Sequence, residues 1–465
     1  MQVVYIDVDS LRPDHVGAHG YEPPTTPNID EFAADAVRFD TAYTANSPCM
    51  PSRAGTLSGR YGLNNGVETH GPLGQVLRGP HSWLDWDGDA SEYRTLPELF
   101  FENYVHAAAV ASFPRHPAKW FYHLWDEFHH PREPEGEGFQ DPRAEVVADR
   151  ALEVVDRNAD EDFYLQVQFW DPHGQYHRTD GEVERFRDET PLPPYPTEEQ
   201  LDRHAEWGTW RNPRDPVIQD TVDHGGYDGI ESREALRECL AHYDAEIRYA
   251  DEHVGRLLDD LRDRGVYDDA LILLAADHGE EFGEHGVYRE HANAYDPTQR
   301  IPLFVKPPGG ADLDAREEVV TNVDIAPTVA DYAGLDAPGA WQGRSLRPLV
   351  EGEDADWREG VVLDHGLYTA QRAYRTDRWK LVRTLHGGYW EGVTPEWQLY
   401  DLAADPWEQE DVAAANPEVV ADLREEMAAW VDEHRGREED ALYEVAREGP
   451  SNYTPGDDYE EFPTL

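Results

Sequence analysis

The chain has 465 residues, 40 Lys plus Arg against 96 Asp plus Glu, and a formal net charge of −56. That length allows two or three domains, or one large α/β domain with an appendage. A charge of that sign excludes general attraction to a nucleic-acid backbone or an anionic membrane surface, and two cysteines exclude a disulfide framework.

Residues 3–6 read as a short buried strand that ends at Asp7, Val8 and Asp9. No basic n-region precedes it, and no run approaches the roughly 18 apolar residues of a membrane span, so the expected location is the cytoplasm. Pro27, Asn28, Ile29 and Asp30 open a helix expected to run through Val37. Next comes Ser47-Pro48-Cys49-Met50-Pro51-Ser52-Arg53, a free cysteine at the start of a short helix. A helix start presents unpaired N–H groups and a partial positive charge, so this turn reads as an anion site with a reactive thiol.

Residues 163–170 form another strand, ending at Asp171, Pro172 and His173. Residues 174–235 are polar, rich in Pro and Glu, and read as an insertion over the site edge. From Leu240 the apolar positions recur every three or four residues until Gly265, the pattern of an amphipathic helix. Residues 271–276 are a fully apolar strand with Asp277 and His278 just past its end. A short strand is expected over 301–305 and a helix over 324–335. These segments are expected to form one main α/β domain over residues 1–350. Residues 355–435 change character: 372–382 look strand-like and 419–434 helical, enough for a small α+β subdomain. The acidic tail, 436–465, is expected to be loosely held.

Alternating strands and helices predict an α/β fold with a mostly parallel central sheet. The polar clusters at residue 9, at 171–173 and at 277–278 all follow strand ends, the edge where open α/β sheets bind ligands. Asp9 and Asp277 are 268 positions apart, yet one sheet edge can unite them. With His278 they offer two hard oxygen donors and an imidazole.

The string Cys49-Met50-Pro51-Ser52-Arg53 with Leu57-Ser58-Gly59-Arg60 resembles the sulfatase motif, C-x-P-S-R followed by a T/S-G-R turn. Residues 6–12, 26–30, 171–173, 276–280, 283–286, 300–303 and 324–328 resemble the family's other landmarks in the same order, so the likeness runs from residue 3 to about 410. The resemblance implies an alkaline-phosphatase-like sandwich with a small C-terminal α+β subdomain. It implies metal-dependent hydrolysis of a small-molecule or glycan sulfate ester. Cys49 would be oxidised to formylglycine by a separate formylglycine-generating enzyme. One hydroxyl of the hydrated aldehyde attacks sulfur, and the second allows the adduct to collapse and expel sulfate. The metal falls to Asp9, Cys49, Asp277 and His278. Arg53 is expected to hold developing anionic charge, His173 aided by His291 to protonate the leaving alcohol, and His116 to deprotonate the second hydroxyl.

The chain departs from the family at Ser10, where many sulfatases carry a second Asp, and at His291, where relatives often carry a lysine. Losing one carboxylate lowers the ligand charge of a Ca²⁺ site, the first expectation; His278 brings in Mn²⁺ or Zn²⁺, and Asp7 can compensate if the strand stays regular. The same pattern resembles phosphonate monoester hydrolases and phosphodiesterases of the superfamily, which gives a second reading. A non-catalytic anion- or metal-binding protein with unmodified Cys49 is a third. His285 and Lys380 read as structural. The acidic composition resembles proteins of salt-accumulating halophiles, where molar salt shortens the screening length to about 3 Å.

Overall fold

The computed structural model describes residues 1–70, 76–80, 88–111, 118–131, 142–174, 176, 178–207 and 230–450. Its central sheet has eight strands. In spatial order they are Ala315–Arg316, Val37–Phe39, Leu303–Lys306, Leu271–Ala275, Val3–Val8, Phe163–Phe169, His106–Val110 and Glu127–His129. The last five in this order run parallel, while Leu303–Lys306 is antiparallel to both its neighbours. Val3–Val8 and Phe163–Phe169 are buried at every position, as the apolar runs of a doubly covered parallel sheet require.

Register explains the site. Val3 pairs with Leu271 and Asp7 with Ala275. Two residues on, the same offset brings Asp9 level with Asp277. The partner on the other side, Phe169, accepts from the Asp9 N–H at 2.9 Å. Three strand ends therefore share one edge.

The long helix is Arg233–Asp263, capped by Ser232, whose hydroxyl accepts from the Ala235 N–H. It begins seven residues before Leu240 because Leu236 and Cys239 extend the buried stripe. The helix opened by Pro27 ends at Ala33, and Val37–Phe39 is a strand instead. Val37 and Phe39 are buried while the intervening Arg38 pairs with Asp40, an alternation that suits a pleat and not a helix. The described part of the 174–235 stretch holds the helices Asp180–Arg187 and Glu198–Ala205 and the start of Arg233–Asp263.

A second sheet has five strands in the order Trp397–Asp401, Trp379–His386, Ala370–Thr376, Gly360–His365 and Asn46–Ser47. The expected single strand over 372–382 is a hairpin, turning at Asp377 and Arg378. Its core, with Val361, Leu363, Leu381, Leu399, Met427 and Trp430, is separate from the main one. Lys380 is buried and pairs with Asp296 at 2.7 Å and Glu408 at 3.0 Å, tying this subdomain to the larger one. Of the tail, residues 436–450 are described. Ala441–Glu448 is a helix with Leu442 and Val445 buried, and its capping Asp440 pairs with the buried Arg372 at 2.6 Å.

Candidate active site

Cys49 opens the helix Cys49–Ser58, every residue of which is buried. Small residues permit this: Ala54 and Gly55 let the backbone approach Asn322, whose amide donates to the Ser52 carbonyl at 2.7 Å. Gly59 ends the helix in the left-handed region, where an added Cβ would strike Trp341. The position places the thiol at the positive end of the helix. Its Sγ lies 3.1 Å from His278 Nε2. His278 Nδ1 faces the Gly279 carbonyl at 2.7 Å, so Nδ1 carries the proton and Nε2 presents its lone pair to the thiol. Gly279 is required here because a Cβ would meet the Pro297 carbonyl oxygen at 2.1 Å.

Arg53, one turn along, is buried among three carboxylates. It lies 3.0 Å from Asp7, 2.8 Å from Asp9 and 3.0 Å from Asp277. Asp7 and Asp9 thus face the same side, as a regular strand requires. The guanidinium pairs with these carboxylates through Nε and Nη2. Ser10 does not replace a carboxylate. It takes φ of 61°, donates through Oγ to Asp9 at 2.9 Å and through its N–H to Asp277 at 3.2 Å. Its carbonyl accepts from the buried Tyr243 hydroxyl at 2.7 Å, which holds the turn.

With all three ionised, the buried carboxylates around one guanidinium would leave an excess of two negative charges, the complement of a dication. Burial drives Asp7 up to about 6 against the opposing pull of Arg53. Burial likewise raises Asp277 well above the usual carboxylate range, with Asp9 and Asp7 adding repulsion that Arg53 only partly offsets. Burial would raise Asp9 too, but Arg53 and the nearby histidines outweigh it and hold its carboxyl low. Asp7 Oδ1 is buried with no hydrogen-bond partner. Ligand atoms of Asp9, Cys49, Asp277 and His278 all lie within 4.8 Å of one another. The donor set therefore fits a divalent metal, and Asp7 is an additional oxygen beside it.

His291 completes the edge. Its ring centroid is 4.2 Å from that of His278 and 5.6 Å from that of His173. Burial lowers its basicity, but Cys49 and Glu280 outweigh that and raise it well above the ordinary histidine value. The Glu280 carboxylate is 3.5 Å from His291 Nδ1. His278 is driven the other way, by burial and then by charge on His291. The structure thus brings together Asp9, Cys49, Arg53, Asp277, His278 and His291, with His173 beside them. His116 lies outside the described residues.

Sequence reading missed three contributors. Glu280 supports His291. His70 Nε2 accepts from the Met50 N–H at 3.3 Å, satisfying a donor in the first turn. His365, from the second sheet, meets Ser47 Oγ through Nδ1 at 2.8 Å. Glu280 was visible in its spacing from His278; the other two had no local signal.

The site thus sets a thiol on a helix N-terminus against a carboxylate and imidazole edge of a mostly parallel sheet. The chain belongs to the sulfatase family: the sulfatase family model matches residues 2–335, and the model for the C-terminal part of N-sulphoglucosamine sulphohydrolase matches 283–434. It is 26% identical to an arylsulfatase of Clostridium perfringens, over 87% of this chain and 89% of that one. It is 23% identical to an N-acetylglucosamine-6-O-sulfatase of Bacteroides thetaiotaomicron, over 96% and 89%. In fold it is similar to the phosphonate monoester hydrolase of Silicibacter pomeroyi, with a TM-score of 0.73 at 21% identity, covering 94% of this chain and 96% of that one.

Proposed function

We propose that the protein hydrolyses sulfate esters with a formylglycine made from Cys49 by a separate formylglycine-generating enzyme. Asp9, residue 49, Asp277 and His278 would hold one divalent cation, Ca²⁺ first and Mn²⁺ or Zn²⁺ next. The observation that carries this is the level alignment of Asp9 and Asp277 beneath the Cys49–His278 contact. When bound, the cation supplies Lewis acidity toward the sulfate oxygens and lowers the pKa of the hydroxyl on residue 49. The hydrated aldehyde supplies two hydroxyls where serine has one.

The remaining work falls to side chains. Arg53 fixes the three carboxylates in one geometry. The Gly279 carbonyl sets the His278 tautomer. Charged by Glu280, His291 carries a proton beside residue 49 and is suited to give it to the leaving alcohol, with His173 at its edge. His116 is proposed as the base for the second hydroxyl. The domain division at about residue 350 and the specificity role of the 174–235 stretch are parts of the same proposal. An aryl or sugar alcohol is the first choice of leaving group, because the relatives named above act on such esters by name.

The test compares an aryl sulfate, N-acetylglucosamine-6-sulfate, an aryl phosphonate monoester and a phosphodiester, in molar KCl with Ca²⁺ or Mn²⁺. Sulfate turnover that vanishes in Cys49→Ala supports the proposal. Ser10 and His278 favour a second reading, phosphonate or phosphate diester hydrolysis at the same residues, and faster turnover of the phosphorus substrates would establish it. No turnover with formylglycine present on the residue 49 peptide would set aside both readings for these substrates.

A further inference from the structure

Two different ligand sets meet at Cys49. One is rich in oxygen: Asp9, Cys49, Asp277 and His278. The other is Cys49, His278 and His291, all buried, with one ligand atom from each within the same 4.8 Å. The second set has the chemistry of a zinc site: one thiolate, two imidazoles, and a fourth position open to water or a neighbouring carboxylate. Its outer contacts also suit zinc. His278 Nδ1 faces a backbone carbonyl at 2.7 Å, and His291 Nδ1 faces the Glu280 carboxylate at 3.5 Å. The first contact fixes the His278 ring and leaves Nε2 for a metal, and the second sets a carboxylate's charge beside His291.

We infer that, before Cys49 is converted, the protein binds Zn²⁺ through Cys49, His278 and His291, and that conversion of residue 49 abolishes this site in favour of the oxygen-rich one. The sets share residue 49 and His278, so only one can be filled at a time. Thiolate selects a soft cation, and its loss to an aldehyde leaves the hard donors Asp9 and Asp277 dominant. Zinc binding displaces the thiol proton of Cys49 and any proton on His291 to solvent; no bond changes oxidation state. The inference rests on the residue 49 geometry of the proposed function, but concerns the unconverted chain.

The experiment uses the full chain made without a formylglycine-generating enzyme, its thiol confirmed by peptide mass and its metal stripped. Co²⁺ is the probe. The expected result is a near-ultraviolet thiolate-to-cobalt charge-transfer band, bleached by Zn²⁺ and unaffected by equal Ca²⁺. Cys49→Ser should abolish the band. His291→Gln should weaken Co²⁺ binding at least as much as Glu280→Gln, for which ~10- to 100-fold is expected. Asp277→Asn, outside the zinc set, should retain the band. Circular dichroism establishes that each variant is folded, and Glu280→Gln serves if His291→Gln is not. No band in the folded thiol protein overturns the inference. So does a band that survives His291→Gln and Glu280→Gln but is lost in Asp277→Asn. Ester turnover plays no part in this readout, so failure here is distinct from failure of the hydrolase reading.

Discussion

His365 holds Ser47 across a 2.8 Å hydrogen bond, joining the C-terminal sheet to the residue two positions before Cys49. Asn46–Ser47 is itself the edge strand of that sheet, paired in parallel with Asp364 and His365. The second subdomain thereby sets the entry into the nucleophile helix. His365→Ala and Ser47→Ala should each lower kcat, normalised to the converted fraction, with little change in KM. Because they remove the same bond, a double-mutant cycle on stability should show coupling of ~1 kcal/mol. Strict additivity would dissociate the two residues.

Much of this arrangement was legible because its signals are local. The apolar runs ending at Asp9 and Asp277 announce strands whose ends carry function, and the Cys49 to Arg60 string is contiguous. What lay hidden depends on contacts distant in sequence. His365 reaches Ser47 over 318 positions, and nothing in the residues around it announces the pairing. Arg53 is a further case: an arginine near a thiol suggests an anion site, and the three carboxylates around it become visible only in the fold. Nothing near Val37 marks it as part of a strand, because its partner there, Val305, lies far along the chain.

Arg53 is the guanidinium that contacts Asp7, Asp9 and Asp277, so removing it strands buried charge. Arg53→Gln should cost ~3–5 kcal/mol in metal-free urea denaturation. Adding Asp7→Asn to that variant should recover part of the loss, because one of the stranded carboxylates disappears. No recovery would mean that Asp7 is already neutral in the metal-free fold.

Divalent cation should stabilise the folded protein by neutralising the same excess charge. Saturation to 100 times Kd corresponds to about 2.7 kcal/mol. Chelation should lower the melting temperature, readdition of Ca²⁺ or Mn²⁺ should restore it, and Asp9→Asn should greatly weaken the response. A melting temperature indifferent to chelator in protein shown to be metal-free afterwards would place the cation elsewhere.

His204 predicts a pH dependence of stability away from the site. It is 2% exposed, with Nδ1 2.7 Å from the Tyr288 hydroxyl and its ring against Trp207. Burial, then the neighbouring Arg203, pushes its pKa from 6.5 down to about 4. The folded value is below the unfolded one, so the unfolded chain binds more protons between these limits. The stabilisation is complete above pH ~6.5 and is lost as pH falls toward 4, by up to roughly 3 kcal/mol. His204→Asn should therefore flatten the urea-derived stability profile between pH 7 and 4.5 relative to wild type. Titrating carboxylates contribute to both proteins and largely cancel in the difference, so parallel profiles would show that His204 takes up its proton as readily in the fold as in the unfolded chain.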